Sequence, residues 1–441
     1  MALISIIISR QASSAQMSFT INDNPEPQTV PSSLLSINNA ADLRWYLERY
    51  AIKDPFDRIR AKQAAEKLDK CGEELAELVF GHFDPDQLPE SDWIRISIRD
   101  NERSSSLFSL HWELLEVYRV NKSRFAVIRE IESLQPVSAI DTVEIDEDGF
   151  RICLVVSRPE AMEEEAEEDS SHRSVSRALL PQFGSSAVHV DIVRPGTWEA
   201  VLEYLDKAKK KVRPVHLVHF DVHGVVKRTG RHIVAKLHFM KADGSPVLID
   251  TKVVGQALAS HGVQMVILNI CDSAKGDGSE KTNLARVLVE QGIRFVFAMS
   301  YKLMTSALVT VVSEFYRSLL ERKEDVWVTA ANVREALLKD YIRRARFGLE
   351  VGVNDWIVPI TYTAKDYGLR FRWASSKESK SQLLMGIRRA TRTEADISPE
   401  PVGRDTLILR LESILLLVIP TIQLFGRPAS GKTFLANFLC E

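Results

Sequence analysis

Two short segments combine residue types that could carry out nucleophilic catalysis. One reads VHFDVHG at 218–224 and the other reads LNICDSA at 268–274, so one supplies histidine and the other a thiol. Each is an apolar run that leads into small or polar residues. A free thiol is mostly protonated at neutral pH, but a neighbouring imidazole can accept its proton and later protonate a leaving amine. The two segments therefore indicate a Cys/His hydrolase.

The same residues also fit other interpretations. A cysteine at a strand end is often a buried structural residue, and a histidine in a strand-to-loop turn is often a hydrogen-bonded core residue. His216, His219 and His223 are close enough in sequence to suggest zinc. However, their segment has the pattern of a strand, and no fourth ligand has a suitable spacing. We therefore predict no metal site, while spacing alone leaves both a catalytic and a structural role open for Cys271.

The elements that must position these segments alternate along the chain. The predicted strands are Ile152–Val156, Val188–Val193, Val215–Phe220, Met265–Ile270 and Phe295–Met299. The predicted helices are Trp198–Lys211, Val253–His261, Asn283–Gln291, Ser306–Glu321 and Ala330–Lys339. This alternation predicts an α/β fold with three layers and right-handed crossovers. In such a sheet, ligands and catalytic groups gather where strands end, which is where both segments lie.

Composition divides the chain into five parts. Residues 1–37 are rich in Ser, Asn, Pro and Gln and predict a disordered tail, and residues 38–135 predict a small α+β region. Residues 136–372 hold the alternating elements. Residues 373–402 are polar and charged, which indicates a linker, and residues 403–441 end in a glycine loop.

Charge and cysteine content exclude several classes of protein. The 441 residues include 57 Lys plus Arg and 60 Asp plus Glu, and the formal net charge of -3 provides no overall attraction to nucleic acid or to anionic membranes. The four cysteines form no CxxC pair, which argues against a disulfide scaffold and favours a reducing, cytoplasmic compartment. No apolar run reaches the ~20 residues that span a bilayer. We predict neither a nucleic-acid partner nor a membrane association.

The two segments also belong to a longer set of stretches that resembles CHAT domains, which are caspase-like proteins of the clan of caspases and separase. HFDVHG and LNICDSA are similar to the His and Cys boxes of that family. Five further stretches resemble it in the same order: DLRWYLERY at 42–50, LHWELLE at 110–116, VRPGTWEAVLEYL at 193–205, ARVLVEQGIRFVFAMSY at 285–301 and DWIVPITY at 355–362. The resemblance covers roughly residues 40–370.

This resemblance implies a fold, an activity and a set of site residues. The fold is a caspase-like three-layer sandwich with a mostly parallel central sheet, preceded by the α+β region. The implied activity is that of a cysteine endopeptidase on a protein or peptide substrate, with no cofactor, in which His223 is the general base and Cys271 the nucleophile. Main-chain N–H groups near Gly224 and Cys271 form the oxyanion site. The residues implied to support the site are His219, Asp221, Asn269 and Asp272.

Some residues depart from the usual pattern of the family. Val222 stands where Gly or Cys is common, Ile270 where Ala is common, and Asp272 where Gln or Glu is frequent. A catalytically inactive, caspase-like module that binds or regulates other proteins therefore stays open as the alternative. Asn269 replaces the acid that Arg- or Lys-directed relatives carry two residues before the nucleophile, which favours a non-basic residue before the cleaved bond.

The chain ends in a second recognisable motif. GRPASGKT at 426–433 fits the GxxxxGK[ST] pattern of a P-loop, with Gly426 and Gly431 as its glycines. In such a loop Lys432 would face the phosphates and Thr433 a magnesium ion. The segment resembles the truncated start of a signalling NTPase of the NACHT or STAND type, which implies a regulatory NTPase or repeat module as a partner. Only two residues follow Leu439, so we expect vestigial nucleotide binding and no hydrolysis; an NTP-binding signalling switch is the second alternative.

Overall fold

The structure of the chain is a computed structural model. It describes residues 2–11, 14–21, 24–29, 41–81, 92–100, 108, 110–119, 122–135, 142–145, 149–157, 188–229, 232–272, 282–365, 369–373, 407, 408, 411, 430, 431 and 435. Within these ranges, every helix is too short or too polar to cross a membrane.

The described residues form seventeen strands and eight α-helices. The strands are β1 Ala2–Gln11, β2 Ser14–Ile21, β3 Asn24–Thr29, β4 Trp93–Asp100, β5 Arg124–Ile131, β6 Thr142–Ile145, β7 Phe150–Ser157, β8 Val188–Val193, β9 Leu217–Thr229, β10 His232–Met240, β11 Pro246–Asp250, β12 Met265–Asp272, β13 Phe295–Met299, β14 Ile342–Arg344, β15 Glu350–Gly352, β16 Pro359–Ala364 and β17 Arg370–Trp373. The α-helices are α1 Ala41–Glu48, α2 Tyr50–Lys53, α3 Arg58–Phe80, α4 Trp198–Lys210, α5 Thr251–Ser260, α6 Thr282–Glu290, α7 Thr305–Tyr316 and α8 Val326–Lys339. A π-helical turn, Arg317–Glu321, continues α7, and a 3₁₀ helix spans Trp112–Val117.

Thirteen of these strands join one sheet. Its order is β11-β10-β9-β12-β13-β16-β5-β4-β1-β2-β3, and β7 also pairs with β9 and carries β8 on its other side. Every pairing from β8 through β7, β9 and β12 to β13 is parallel. Strand β16 is antiparallel to β13 and parallel to β5. The predicted α/β class with a mostly parallel central sheet is therefore confirmed.

Helices cover both faces of this sheet. On one face, the ring of Phe315 in α7 lies 4.8 Å from the ring of Phe297 in β13, and α8 packs beside α7. On the other face, α6 packs against β13 and β16, with α5 beside it. All five residues of β13 are buried, as expected for a strand with a helical layer on each side. This gives the three layers that the alternating pattern predicts.

Local sequence explains where several helices begin. The Thr197 hydroxyl accepts a hydrogen bond from the Ala200 N–H at 3.1 Å and caps α4. The Asp250 carboxylate accepts one from the Lys252 N–H at 2.8 Å and caps α5. Helix α4 also ends in three lysines, which interact favourably with the carbonyl end of the helix. These local interactions stabilise the ends of the two helices that follow β8 and β11.

Two buried ion pairs lie in the N-terminal α+β region, and one of them joins it to the rest of the molecule. The 3₁₀ helix Trp112–Val117 supplies two buried acids, Glu113 and Glu116. Glu113 binds Arg129 of β5 through both carboxylate oxygens, and Glu116 binds Arg334 of α8, with Nε 2.7 Å from Oε2. The side chains of both arginines are no more than 2% exposed. Because α8 lies in the layer over the central sheet, the second pair connects two distant parts of the chain.

The structure differs from the sequence prediction at the N-terminus. The predicted disordered tail over residues 1–37 contains β1, β2 and β3, and β1 pairs in parallel with β4. The run of isoleucines in β1 has high strand propensity, which explains this pairing. The remaining domain boundaries stay predictions, since most of the predicted linker and nearly all of residues 403–441 lie outside the described residues.

The sequence prediction also gives too few and too short strands near the candidate site. Strands β9 and β12 extend beyond the predicted ends at Phe220 and Ile270, and the hairpin of β10 and β11 was not predicted. The turn of this hairpin contains Asp243 followed by Gly244, whose φ of +82° suits glycine. An Asp-Gly pair between apolar runs is a recognisable hairpin signal.

Candidate functional site

Strands β9 and β12 lie side by side and run parallel, which aligns the two segments that carry histidine and cysteine. Their register pairs Cys271 with His223 and, one residue further, Asp272 with Gly224. Both pairs lie within the strands, not in the loops that follow them. Neighbouring strands in a sheet are ~4.8 Å apart, so the main chains of Cys271 and His223 are immediate neighbours.

His223 lies where β9 changes its neighbour on the side away from β12. Strand β7 pairs with β9 as far as Val222, and β10 pairs with it from Gly224 onward. His223 is partly exposed, whereas Val222 is 2% exposed. Ligands in open α/β sheets bind where the strand arrangement changes. The change of neighbour from β7 to β10 occurs at His223, so the candidate imidazole lies where such a sheet would bind a ligand.

A buried polar pair lies two residues before His223 and Cys271. Asp221 and Asn269 are register partners, and Asn269 Nδ2 donates a hydrogen bond to Asp221 Oδ1 at 3.0 Å. Their side chains are buried, at 0% and 4% exposed. Polar groups in a core are stable when they are hydrogen-bonded. This bond therefore fixes the alignment of β9 and β12 next to the candidate pair.

His219 contacts the helical layer below the site. Its Nδ1 lies 2.9 Å from the hydroxyl of Tyr316, at the end of α7, and the residue is 1% exposed. Burial lowers the pKa of His219 to about 4, so the ring is neutral at pH 7. A rise of ~3.3 Å per residue separates it from His223 by about 13 Å along the strand. His219 therefore anchors β9 to α7 and lies apart from His223 along the strand.

Two residues at the same edge of the sheet were not singled out from the sequence. Tyr301 follows β13, and counting three residues onward from the paired Leu268 and Ala298 places Tyr301 level with Cys271. The Tyr301 hydroxyl lies 3.2 Å from Nε2 of His111. Burial lowers the pKa of His111 to about 4 and raises that of Tyr301. Both residues lie in stretches that carry the family resemblance, but a single sequence does not show that they meet.

The remaining predicted site residues lie in the glycine loop. Gly426, Lys432 and Thr433 are outside the described residues, so phosphate binding by this loop stays a prediction. Gly431 has a φ of +76°, and its carbonyl accepts a hydrogen bond from the Leu435 N–H at 3.0 Å. In the part of the chain that the structure describes, no group of three His, Cys, Asp or Glu side chains is arranged to hold a metal ion.

Comparisons with known proteins give two kinds of match. The family model described as CHAT domain matches residues 10–375. Two crystal structures of the Saccharomyces cerevisiae separase–securin complex, at 3.0 and 2.6 Å resolution, are similar, with 9% and 11% identity and TM-scores of 0.44 and 0.42. Each match covers 84% of this chain and 30% of the other, so the chain spans less than a third of the length of these relatives. A search of curated proteins found no match.

Proposed function

Since the chain belongs to the CHAT domain family, within the caspase-like cysteine peptidase clan, we propose that it is a cysteine endopeptidase acting on a protein or peptide substrate. The observation that carries this proposal is the pairing of Cys271 with His223 on adjacent parallel strands. Register partners on parallel strands lie on the same face of a sheet. The main chains of Cys271 and His223 are therefore one strand spacing apart.

The proposed reaction uses both residues in turn. His223 accepts the thiol proton of Cys271, and the thiolate attacks the carbonyl carbon of the scissile bond. Main-chain N–H groups near Gly224 and Cys271 stabilise the resulting oxyanion. The imidazolium then protonates the leaving amine, and a water molecule hydrolyses the thioester to release the acid product and the free thiol.

Four further residues take supporting roles in this proposal. Asp221 and Asn269 hold β9 and β12 in register through their hydrogen bond. His219 holds β9 against α7 and is not itself a catalytic residue. Asp272, the register partner of Gly224, is the last residue of β12 and follows the nucleophile directly.

A thiol-directed activity probe tests the nucleophile. Two other thiols do not compete, because Cys71 and Cys153 are no more than 1% exposed and burial raises their pKa values, that of Cys71 to about 12. With Cys440→Ser as the background, we expect labelling of the parent chain and its loss in Cys271→Ala. Equal labelling of both chains would refute the assignment of Cys271.

Peptide hydrolysis tests the dyad. We expect Cys271→Ala and His223→Ala each to lower kcat/KM by about 10³-fold or more, because the two groups act as a unit. His189→Ala, which removes an exposed histidine of β8, is the matched control and should leave hydrolysis unchanged. Peptide binding without hydrolysis by the parent chain would instead support the inactive, protein-binding alternative.

The proposal also covers the compartment in which the peptidase acts and the partner that regulates it. We propose a cytoplasmic effector that a regulatory NTPase or repeat module restrains until a signal releases it. The P-loop pattern at 426–433 and the four cysteines of the sequence, which form no CxxC pair, support this setting. Co-purification of a regulatory module with the full chain, and faster hydrolysis when that module is removed, are the expected results.

A further inference from the structure

The segment that follows β13 lies beside the proposed nucleophile but belongs to no helix or strand. Strands β9, β12 and β13 are parallel, so their carboxyl ends meet at one edge of the sheet. Residues 300–304 leave β13 at this edge and lead into α7. The β12–β13 register, continued past Leu268 and Ala298, brings Tyr301 level with Cys271. Ligands of open α/β sheets bind outside the carboxyl ends of the strands, so residues 300–304 border the space that a bound peptide would occupy.

Two successive residues of this segment are hydrogen-bonded to side chains of the N-terminal α+β region. The Tyr301 hydroxyl lies 3.2 Å from Nε2 of His111. The Lys302 N–H donates a hydrogen bond to Oε1 of Glu48 at 3.1 Å. Each contact joins residues that are about 190 or more positions apart in the chain. The N-terminal region therefore reaches the edge of the sheet at which the proposed nucleophile lies.

The sheet itself fixes the chain only as far as Ser300. The ladder between β13 and β16 ends there, where the Ser300 N–H donates to the Val358 carbonyl at 2.8 Å. Two residues later, the main chain of Lys302 is hydrogen-bonded to a side chain instead. A main-chain N–H needs a partner wherever the chain leaves regular structure. The Glu48 carboxylate therefore holds the chain at the point where it turns away from the sheet.

Both N-terminal residues belong to parts of the molecule that are themselves held in place. Glu48 is the last residue of α1, and its side chain is only 13% exposed. Its second carboxylate oxygen lies 3.6 Å from Nε of Arg44, one turn earlier in the same helix. His111 immediately precedes the 3₁₀ helix Trp112–Val117, whose two acids form buried ion pairs. Rigid supports of this kind are what a precisely positioned site requires.

We propose that Glu48 and His111 are positioning residues of the peptidase, which hold residues 300–304 as a wall of the substrate cleft beside Cys271. They act through this segment, and neither is a catalytic residue. A displacement of about 1 Å at a site can cost ~100-fold in rate. Loss of either contact should therefore impair reactions with peptides more than it changes the reactivity of the thiol. This inference rests on the proposed peptidase function for the identity of the ligand, but the contact can be measured without catalysis.

Amide hydrogen exchange of the full chain, followed by mass spectrometry, tests the contact itself. We expect the Lys302 amide to exchange at least about tenfold faster in Glu48→Leu than in the parent. Glu48→Gln keeps an oxygen that can accept this N–H and should retain most of the protection. Glu314→Leu on α7 is the matched control, because the Glu314 side chain is also 13% exposed and pairs with the nearby Arg317. Equal exchange of the Lys302 amide in the parent and in Glu48→Leu would overturn the proposal.

Two thiol reagents, used in the Cys440→Ser background, test the effect on the site. Iodoacetamide reports the reactivity of the Cys271 thiol, whereas acetyl-tetraalanyl chloromethyl ketone must also lie in the peptide cleft. We expect Glu48→Leu and Tyr301→Phe each to lower the labelling rate with the chloromethyl ketone by about tenfold or more. The rate with iodoacetamide should change by no more than about twofold, and Glu48→Gln should resemble the parent with both reagents. Equal losses with the two reagents, or no loss with the chloromethyl ketone, would refute the positioning role.

The two measurements together separate failure of this inference from failure of the peptidase. If neither reagent labels Cys271 in the parent, the assignment of the nucleophile is refuted. Faster exchange of the Lys302 amide in Glu48→Leu would then leave Glu48 as a residue that shapes the peptide site of an inactive module. If the parent is labelled by both reagents but Glu48→Leu changes neither exchange nor labelling, the peptidase stands and the positioning role is refuted.

Discussion

The buried ion pair of Glu116 and Arg334 allows a direct test of whether it stabilises the attachment of the N-terminal region to α8. Both carboxylate oxygens of Glu116 contact the Arg334 guanidinium, and one of them also accepts the Val127 N–H at 2.7 Å. Arg334 further donates to the Pro359 carbonyl at 3.1 Å. Replacing either partner with leucine leaves the other charge buried without its counter-ion. The perturbation is therefore a double-mutant cycle of Glu116→Leu and Arg334→Leu.

The expected magnitudes follow from the burial of both groups. Removing one partner of a buried ion pair costs about 3–5 kcal/mol, because the remaining charge is desolvated and unpaired. The double variant removes both charges but leaves the Val127 N–H and the Pro359 carbonyl without these partners, which should lower the free energy of unfolding by about 1–3 kcal/mol. We expect the double variant to be more stable than either single variant, with a coupling energy of at least about 3 kcal/mol.

Urea unfolding of the full chain, followed by circular dichroism, measures these differences in the free energy of unfolding. The matched control is the pair of Lys62 and Glu66 on α3, which are 78% and 62% exposed and 3.7 Å apart. Its removal should cost no more than about 0.5 kcal/mol. If Glu116→Leu and Arg334→Leu cost as little as the control, or if their costs simply add, the pair does not join the two regions as inferred.

Two further predictions concern packing and pH. Gly255→Ala should lower the free energy of unfolding by about 1–3 kcal/mol, because its Cβ would lie 2.8 Å from Cβ of Gln291 across the α5–α6 contact. Gly244→Ala lies in open space at φ +82° and should cost only about 1 kcal/mol of backbone strain. Equal shifts of the melting temperature in the two variants would contradict this prediction. Because the pKa of His219 is about 4 in the fold and 6.5 in the unfolded chain, protonation of the unfolded chain should reduce stability as the pH falls from 6.5 to 4. His219→Gln should show a weaker loss between pH 7 and pH 4.5 in urea unfolding, and an unchanged pH dependence would contradict the assignment.

Regular elements of the central sheet could be predicted from the sequence because their patterns are local. The strands Val188–Val193 and Phe295–Met299 agree with prediction, as does the start of α4 at Trp198. Each is a continuous apolar run or an amphipathic helix with its own cap, so local propensity and tertiary packing agree. The order of the strands, by contrast, depends on pairings between distant segments. The position of β5 beside β16 is an example that no local pattern reveals.

The candidate site shows the same division between local and long-range information. The sequence indicates which segments carry the thiol and imidazole, but the register that pairs Cys271 with His223 appears only in the sheet. The end of β9 is placed too early because an acid such as Asp221 normally ends a buried strand, whereas here its carboxylate accepts a hydrogen bond from Asn269. Contacts such as Tyr301 with His111 join residues 190 positions apart. Their pairing depends on the fold and could not be derived from spacing.

The hydrogen bond between Asp221 and Asn269 also bears on how the sheet assembles. If β12 docked onto β9 one residue out of step, its side chains would turn to the opposite face, and the Asn269 amide would enter an apolar layer. An unsatisfied buried amide costs about 1–3 kcal/mol. Misaligned folding intermediates are therefore less stable than correctly aligned ones. A polar pair that takes no part in bond cleavage thus selects, during assembly, the single alignment in which residues 223 and 271 arrive at the same height.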